Sequence, residues 1–110
     1  QKLVGSVAVS EYIIKYVAAL VRATRPKDEK APKFVREWVD WGAGPRAGQA
    51  LLLSAKALAL LSGRFAVSRA DLKRLAAPVL RHRLVLSYAA SAEGITADEV
   101  VRQLVDGSRL

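Results

Sequence analysis

A leucine-rich segment constrains this chain more than any other feature of its sequence. Residues Pro45 to Ser62 read PRAGQALLLSAKALALLS, and Lys56 is the only charge after Arg46. Proline suits the first position of a helix, and Gly63 is placed to end one. A helix that is apolar nearly all round is usually buried on most of its sides. We therefore expect a central helix with other elements packed around it.

Two amphipathic helices are expected before this segment. Ser10 can accept hydrogen bonds from free backbone N–H groups, and the apolar spacing after it predicts a helix from about Glu11 to Thr24. A shorter helix is expected from about Pro32 to Trp41, where Gly42 would end it in a left-handed conformation. We expect one or both of its tryptophans, Trp38 and Trp41, to pack in the core. Residues Gln1 to Val9 could be the frayed end of an earlier helix.

Two capping boxes mark helices in the second half of the chain. Ser68 with Asp71, and Thr96 with Glu99, have the spacing at which side chains and backbone N–H groups cap a helix reciprocally. The second pair predicts a last helix from about Ala97 to Asp106.

Between these helices the sequence leaves alternatives open. Pro78 either starts or kinks a continuation from Val79 to His82. The segment Phe65 to Val67 could be a very short strand, and Leu84 to Ser87 either pairs with it or stays helical. The expected fold class is all-α: a small helical bundle with at most a very short two-stranded hairpin.

Composition excludes several kinds of site. The chain has 110 residues, enough for one domain, with no cysteine and a single histidine, His82. Cysteine-based and histidine-rich metal sites are therefore excluded, and we predict no metal site. The nucleotide-binding runs G-x-x-x-x-G-K-[ST] and G-x-G-x-x-G are absent, and no carboxylate pair is placed for acid–base work. The chain alone is not expected to be an enzyme.

The ends of the chain and its apolar runs bear on its context. No run approaches the roughly 20 apolar residues of a membrane-spanning helix, and no signal peptide opens the chain. We therefore expect a cytoplasmic protein without a membrane span. The chain contains no methionine, even at position 1. We expect residues 1–110 to be one domain of a longer protein.

The chain is basic, with a formal net charge of +8. The excess lies in residues 41–92, where Asp71 is the only acid. One hypothesis is a free-standing basic helical module that binds nucleic acid or a protein partner. Nucleic acid is the less favoured partner, because the basic residues do not cluster along one helix and the leucine-rich helix offers only Lys56.

Arg46 is the candidate residue with the clearest chemistry. The run Gly44-Pro45-Arg46 places a guanidinium in the first turn of a helix, which is already positive. A guanidinium is a rigid fork of donors that matches phosphate oxygens. A cation at this end costs about 0.3–1 kcal/mol of folding stability, which favours a functional reason for it. A solvated surface arginine is the alternative.

Six segments of the chain carry a family resemblance. They are Val9-Ser10, Val21 to Arg25, Trp41 to Ala47, Val67-Ser68, Ala77 to Leu84 and Ala92 to Thr96. In this order they resemble the C-terminal lid domain of MoxR-type AAA+ ATPases, and the combination of G-A-x-P-R-A with L-R-H-R is its specific part. Family members commonly have serine where Gly44 stands, and acids around Tyr88 to Ser91 where this chain has none.

The resemblance implies a role for the turn at Arg46. Such a lid follows a P-loop ATPase core, which is absent from these residues, and nucleotide lies at their junction. ATP and Mg²⁺ would then be bound by the full-length protein and not by this domain alone. Arg46 matches the sensor-2 arginine, which contacts the γ-phosphate and couples nucleotide state to lid angle, and Gly44 and Pro45 would lie beside the nucleotide.

The resemblance also implies partners. Members form homo-oligomeric rings, often hexamers, and are chaperone-like ATPases that help to mature other enzymes, commonly with proteins that carry a von Willebrand factor A domain. Arg81, His82 and Arg83 would contact the ATPase core or a neighbouring subunit. The alternative is a helix C-terminal turn, where the helix dipole favours cations.

Overall fold

The computed structural model describes residues 7–29 and 31–107, which form six helices and one two-stranded sheet. The helices are α1 (Glu11–Ala23), α2 (Lys33–Trp38), α3 (Pro45–Leu61), α4 (Arg69–Leu80), α5 (Tyr88–Ala92) and α6 (Ala97–Asp106). The strands are β1 (Val39–Trp41) and β2 (Val85–Leu86), and a 3-10 turn over Arg81–Arg83 follows α4. The expected fold class, a small helical bundle with a very short sheet, is confirmed.

The core lies between α1, α3, α4 and α6, and α2 contributes Val35 to it. Helix α3 packs on α1 and on α4, and α4 packs on α6. The largest fully buried aliphatic and aromatic side chains are Tyr16, Leu51, Leu72, Leu80, Val35, Val100 and Val101. Full burial of one such side chain contributes about 1.5–3 kcal/mol, so this shared interior fixes the helices relative to one another.

Helix α3 differs from the expected helix buried on most of its sides. Its fully buried residues lie four apart on one stripe: Ala47, Leu51, Ala55 and Ala59. Elsewhere on the helix Leu53 is 56% exposed and Leu61 is 86% exposed. The expectation was wrong because α1 and α4 cover one side of α3 and leave these leucines open to solvent.

Local capping signals placed the helix starts correctly. The N–H of Ile13 donates to Ser10 Oγ at 3.2 Å, and α6 has the expected bounds. The N–H of Glu99 donates to Thr96 Oγ1 at 3.2 Å, which is one half of the expected capping box. No helix formed by residues 7–29 and 31–107 has the length and apolar character needed to cross a bilayer.

The capping box of α4 is complete and is joined by an ion pair. The N–H of Ser68 donates to Asp71 Oδ2 at 2.9 Å, and the N–H of Asp71 donates to Ser68 Oγ at 3.3 Å. Arg64 donates to both carboxylate oxygens of Asp71, at 2.8 Å for Nη1 to Oδ2. The bonds from Arg64 and then Ser68 lower the pKa of Asp71, although its burial acts in the opposite direction.

The second expected helix is shorter than its apolar stripe suggested. Helix α2 ends at Trp38, and the next three residues form β1, which pairs antiparallel with β2. Gly42 follows the strand without a positive φ, so the predicted left-handed helix end was wrong. The reason is non-local: β2 supplies backbone partners from a distant segment, which local periodicity cannot reveal.

Neither alternative for Leu84 to Ser87 is found: the segment does not pair with Phe65–Val67, and it is not helical. Ala66 makes an isolated parallel bridge with Ala8, in which the N–H of Ala8 donates to the Phe65 carbonyl at 2.8 Å. Leu86 pairs with β1 instead. The frayed helix was wrong for residues 7–9, and residues 1–6 lie outside the described part of the chain.

Pro78 does not start a new helix. Helix α4 passes through Pro78 and ends two residues later at Leu80. The expected continuation to His82 becomes the 3-10 turn.

Candidate functional site

The backbone of the turn before α3 is in close contact with the residues that end α1. A Cβ built on Gly42 would lie 2.4 Å from the carbonyl oxygen of Thr24 and 2.6 Å from the Cα of Arg25. Contacts that short do not occur for a real side chain. Glycine is therefore required at this position by space, and not by backbone angle.

Both backbone groups of Ala43 are bound by side chains from the end of α1. The N–H of Ala43 donates to Thr24 Oγ1 at 2.9 Å, and this hydroxyl in turn donates to the Val21 carbonyl at 2.6 Å. Arg25 Nε donates to the Ala43 carbonyl at 2.9 Å. Thr24 and Ala43 are buried, so losing their bond is costly. We call Thr24, Arg25, Gly42 and Ala43 the α1–α3 clamp.

The clamp leads directly into the first turn of α3. Gly44 is the N-cap residue, in extended conformation, and Pro45 occupies the first helical position. The side chain of Arg46 is exposed and makes no hydrogen bond or ion pair with the residues that the structure describes. Its backbone N–H has no intrahelical acceptor either. A free guanidinium thus lies at the positive end of a 17-residue helix.

A mostly apolar pocket of about 330 Å³ opens beside this turn. Its lining includes Pro26, Trp41 and Pro45, together with Arg25 of the clamp. Trp41 is 71% exposed and belongs to this pocket and not to the core.

Trp38 alone meets the expectation that a tryptophan packs in the core. It is half-buried against the core residues, and its ring centroid lies 6.0 Å from that of Phe34.

The second basic point lies in the 3-10 turn after α4. Arg81 Nε forms an ion pair with Asp98 at 3.1 Å and donates to the Ala77 carbonyl at 3.3 Å. His82 and Arg83 are exposed and have no side-chain partner within the described ranges. Arg81 therefore helps to join α4 to α6, whereas His82 and Arg83 are open to a partner.

The chemistry available at the turn is anion binding. Within residues 7–29 and 31–107 no three or more His, Asp or Glu side chains are grouped as metal ligands. The turn offers the Arg46 guanidinium, the backbone N–H of Arg46 and a helix dipole, beside an apolar pocket. This combination suits a ligand with a phosphate and an apolar part, and it supplies no group that makes or breaks bonds.

Sequence reasoning selected Gly44, Pro45 and Arg46 but missed the clamp beneath them. The structure brings these three residues together as one exposed turn. The contact of Gly42 with Thr24 and Arg25 was not foreseen, although both segments carry the family resemblance. The available signal was Gly42 itself, since glycine often marks the close approach of two backbone segments.

Comparison with known proteins assigns the family. A family model described as the AAA lid domain matches residues 31–104. The Chaperone MoxR1 of Mycobacterium tuberculosis is 35% identical over 105 residues, which cover 96% of this chain and 28% of that protein. The Uncharacterized protein YeaC of Bacillus subtilis is 32% identical over 110 residues, which cover 100% of this chain and 32% of that protein.

A solved structure agrees with these relatives. The crystal structure of a proposed ATPase from Cytophaga hutchinsonii matches with a TM-score of 0.92 and 32% identity, over 98% of this chain and 33% of that chain. This chain thus spans between 28% and 33% of the length of these three proteins. The family model and the similar helical bundle lead to one conclusion. The chain belongs to the AAA lid domain family, as a lid of the MoxR type.

Proposed function

We propose that this chain is the lid of an AAA+ ATPase, that it closes over ATP bound to a separate P-loop core, and that Arg46 senses the γ-phosphate. One observation carries the proposal. Arg46 is exposed and has no partner among the described residues, at the positive end of α3. A cation at this end of a helix opposes the helix dipole and lowers folding stability, which favours a functional reason for it.

The geometry suits a sensor because the contact can be strong and reversible. A hydrogen bond to a charged group contributes about 1.5–3 kcal/mol, and a guanidinium can make two such bonds to one phosphate. This is enough to shift an equilibrium between two lid angles by roughly tenfold or more. The approach is open, because no heavy atom beyond the adjacent residues lies within 4 Å of a Cβ built on Gly44. Loss of the γ-phosphate removes the contact and so changes the favoured lid angle.

ATP and Mg²⁺ would be bound by the core, with Gly44, Pro45 and Arg46 contacting the phosphates from the lid side. Bound ATP supplies the negative charge that Arg46 recognises. The lid itself contributes binding and orientation, since its turn contains no acid, base or metal ligand. We therefore expect the 110-residue chain alone to hydrolyse no ATP.

For the whole protein we propose a homo-oligomeric ring, a hexamer, in the cytoplasm. The 3-10 turn after α4 would contact the core or a neighbouring subunit. The residues that make this contact would be His82, Arg83 and the exposed part of the Arg81 side chain. We propose that this ATPase is a chaperone for enzyme maturation or complex assembly, with partners that carry a von Willebrand factor A domain. The name of the relative, Chaperone MoxR1, supports the chaperone part of this proposal.

The test is Arg46→Ala in the full-length ATPase. We expect ATP turnover to fall at least tenfold with the folded structure unchanged, because the phosphate contact is removed and no core packing is touched. Arg74→Ala is the matched control, since Arg74 is an exposed arginine of α4 with no partner among the described residues. Wild-type turnover in Arg46→Ala would refute the assignment.

A further inference from the structure

We propose that Arg25 is a positioning residue for Arg46: its hydrogen bond to Ala43 fixes the first turn of α3 and so the place where the guanidinium meets a phosphate. This inference rests on the proposed function of Arg46. Arg25 itself donates to a backbone carbonyl within the domain, at 2.9 Å, and acts through the turn.

Arg25 and Thr24 bind the two backbone groups of one residue, Ala43. Thr24 accepts from the N–H of Ala43, and Arg25 donates to its carbonyl. One bond alone would leave the peptide groups free to rotate about it, whereas two bonds from adjacent residues fix their orientation. The backbone of Gly42, in close contact with the same two residues, removes the remaining space for movement.

The connection between the clamp and Arg46 is short and stiff. Only Gly44 and Pro45 separate Ala43 from Arg46. The ring of Pro45 fixes its φ, and Pro45 is already the first residue of α3. Gly44 is the one flexible residue between them, so the orientation of the Ala43 backbone largely determines the position of Arg46. A displacement of about 1 Å at such a contact is enough to weaken it strongly.

Arg25 does not belong to the buried core of the domain. It is half-buried and lies at the junction of the pocket beside the turn with the groove between α1 and α3. Thr24, in contrast, is fully buried. Replacing Arg25 therefore loosens the turn while the interior between the helices stays intact.

The experiment compares affinities for ATP and ADP in the full-length ATPase, with Arg25→Ala, Arg46→Ala and the double variant. A contact to the γ-phosphate affects ATP alone, whereas general loosening of the lid weakens both nucleotides. We expect Arg46→Ala to lower the ATP-to-ADP affinity ratio about tenfold, and Arg25→Ala to lower it about threefold to tenfold. The double variant should match Arg46→Ala, because Arg25 acts through Arg46.

A second variant separates position from charge. In Arg25→Gln the amide nitrogen stands at the same place along the side chain as Nε of arginine, so the donor to Ala43 is kept and the charge is lost. We expect this variant to restore most of the wild-type ratio. If Arg25→Ala fails to fold, Arg25→Met takes its place, since it fills the space without a donor.

Each other outcome has a distinct meaning. If Arg46→Ala leaves the ratio unchanged, the proposed function fails and this inference fails with it. If Arg46→Ala lowers the ratio but Arg25→Ala does not, the positioning role alone is refuted. If Arg25→Ala lowers it further in the Arg46→Ala background, or if Arg25→Gln is as defective as Arg25→Ala, Arg25 acts by its own charge and the positioning role is refuted.

Discussion

Replacing Gly42 with alanine tests the α1–α3 clamp through backbone space alone. The new Cβ would lie 2.4 Å from the Thr24 carbonyl oxygen, and ordinary van der Waals contact begins at 3.4 Å. The neighbouring atoms belong to the backbone of Thr24 and Arg25, so no side chain can turn aside. The two segments must therefore separate by about 1 Å.

The energetic cost follows from the bonds that such a separation would break. Both side-chain bonds to Ala43 are 2.9 Å long, and adding about 1 Å takes them beyond hydrogen-bond distance. A buried N–H left without a partner costs about 1–3 kcal/mol, and a bond from a charged group contributes about 1.5–3 kcal/mol. Since the turn relaxes in part, we expect Gly42→Ala to lower the free energy of unfolding by about 3 kcal/mol.

Urea unfolding of the 110-residue chain, followed by far-ultraviolet circular dichroism, measures this loss. With a slope of about 1–3 kcal/mol per molar urea, the midpoint should fall by about 1–3 M. Gly44→Ala is the matched control, because no heavy atom beyond the adjacent residues lies within 4 Å of its Cβ and its φ of −83° suits any residue. Its weaker N-cap and stiffer unfolded chain offset each other, so we expect a change within about 0.5 kcal/mol. Equal stability of the two variants would refute the clamp.

Two further predictions concern the core and the cap of α4. Leu51→Ala, at a fully buried site of α3, should lower the free energy of unfolding by about 2–5 kcal/mol. Leu53→Ala, on the exposed side, should change it by less than about 1 kcal/mol. Similar losses in the two variants would contradict the described packing. Because Arg64 lowers the pKa of Asp71, the stability from this pair is present above the ordinary carboxyl pKa of about 3.9 and is lost as pH falls through the lowered value. Asp71→Asn should therefore be less stable than wild type at neutral pH, and the difference should shrink below about pH 4, where a constant difference would argue against the ion pair.

Elements whose ends depend on neighbouring residues could be predicted from the sequence. Ser10 marks the start of α1 and Thr96 that of α6, because each side chain caps an N–H three residues ahead. Pro45 and Gly63 bracket α3, and Gly63 does adopt a positive φ of 77°. These signals act within one helical turn, so the sequence contains all of the information that they need.

Features that join distant segments could not be predicted in the same way. The residues of β1 continue the apolar stripe of α2 and become a strand only because β2 pairs with them. The same limit applies at the site. The exposed turn of Gly44, Pro45 and Arg46 follows from local sequence, whereas its fixation by Thr24 and Arg25 depends on how α1 meets α3.

Because the α1–α3 clamp lies at one end of α3, a rotation about the clamp moves the other end of the helix most. The helix has 17 residues, so it is about 25 Å long at 1.5 Å per residue. Arg46 lies beside the fixed end, and Leu61, 86% exposed, lies at the other. A rotation of the bundle by about 10° around the clamped end would shift the backbone of Arg46 by less than about 1 Å and that of Leu61 by about 4 Å. A shift of less than about 1 Å at the turn of Arg46 thus accompanies a shift of about 4 Å at the far end of the helix.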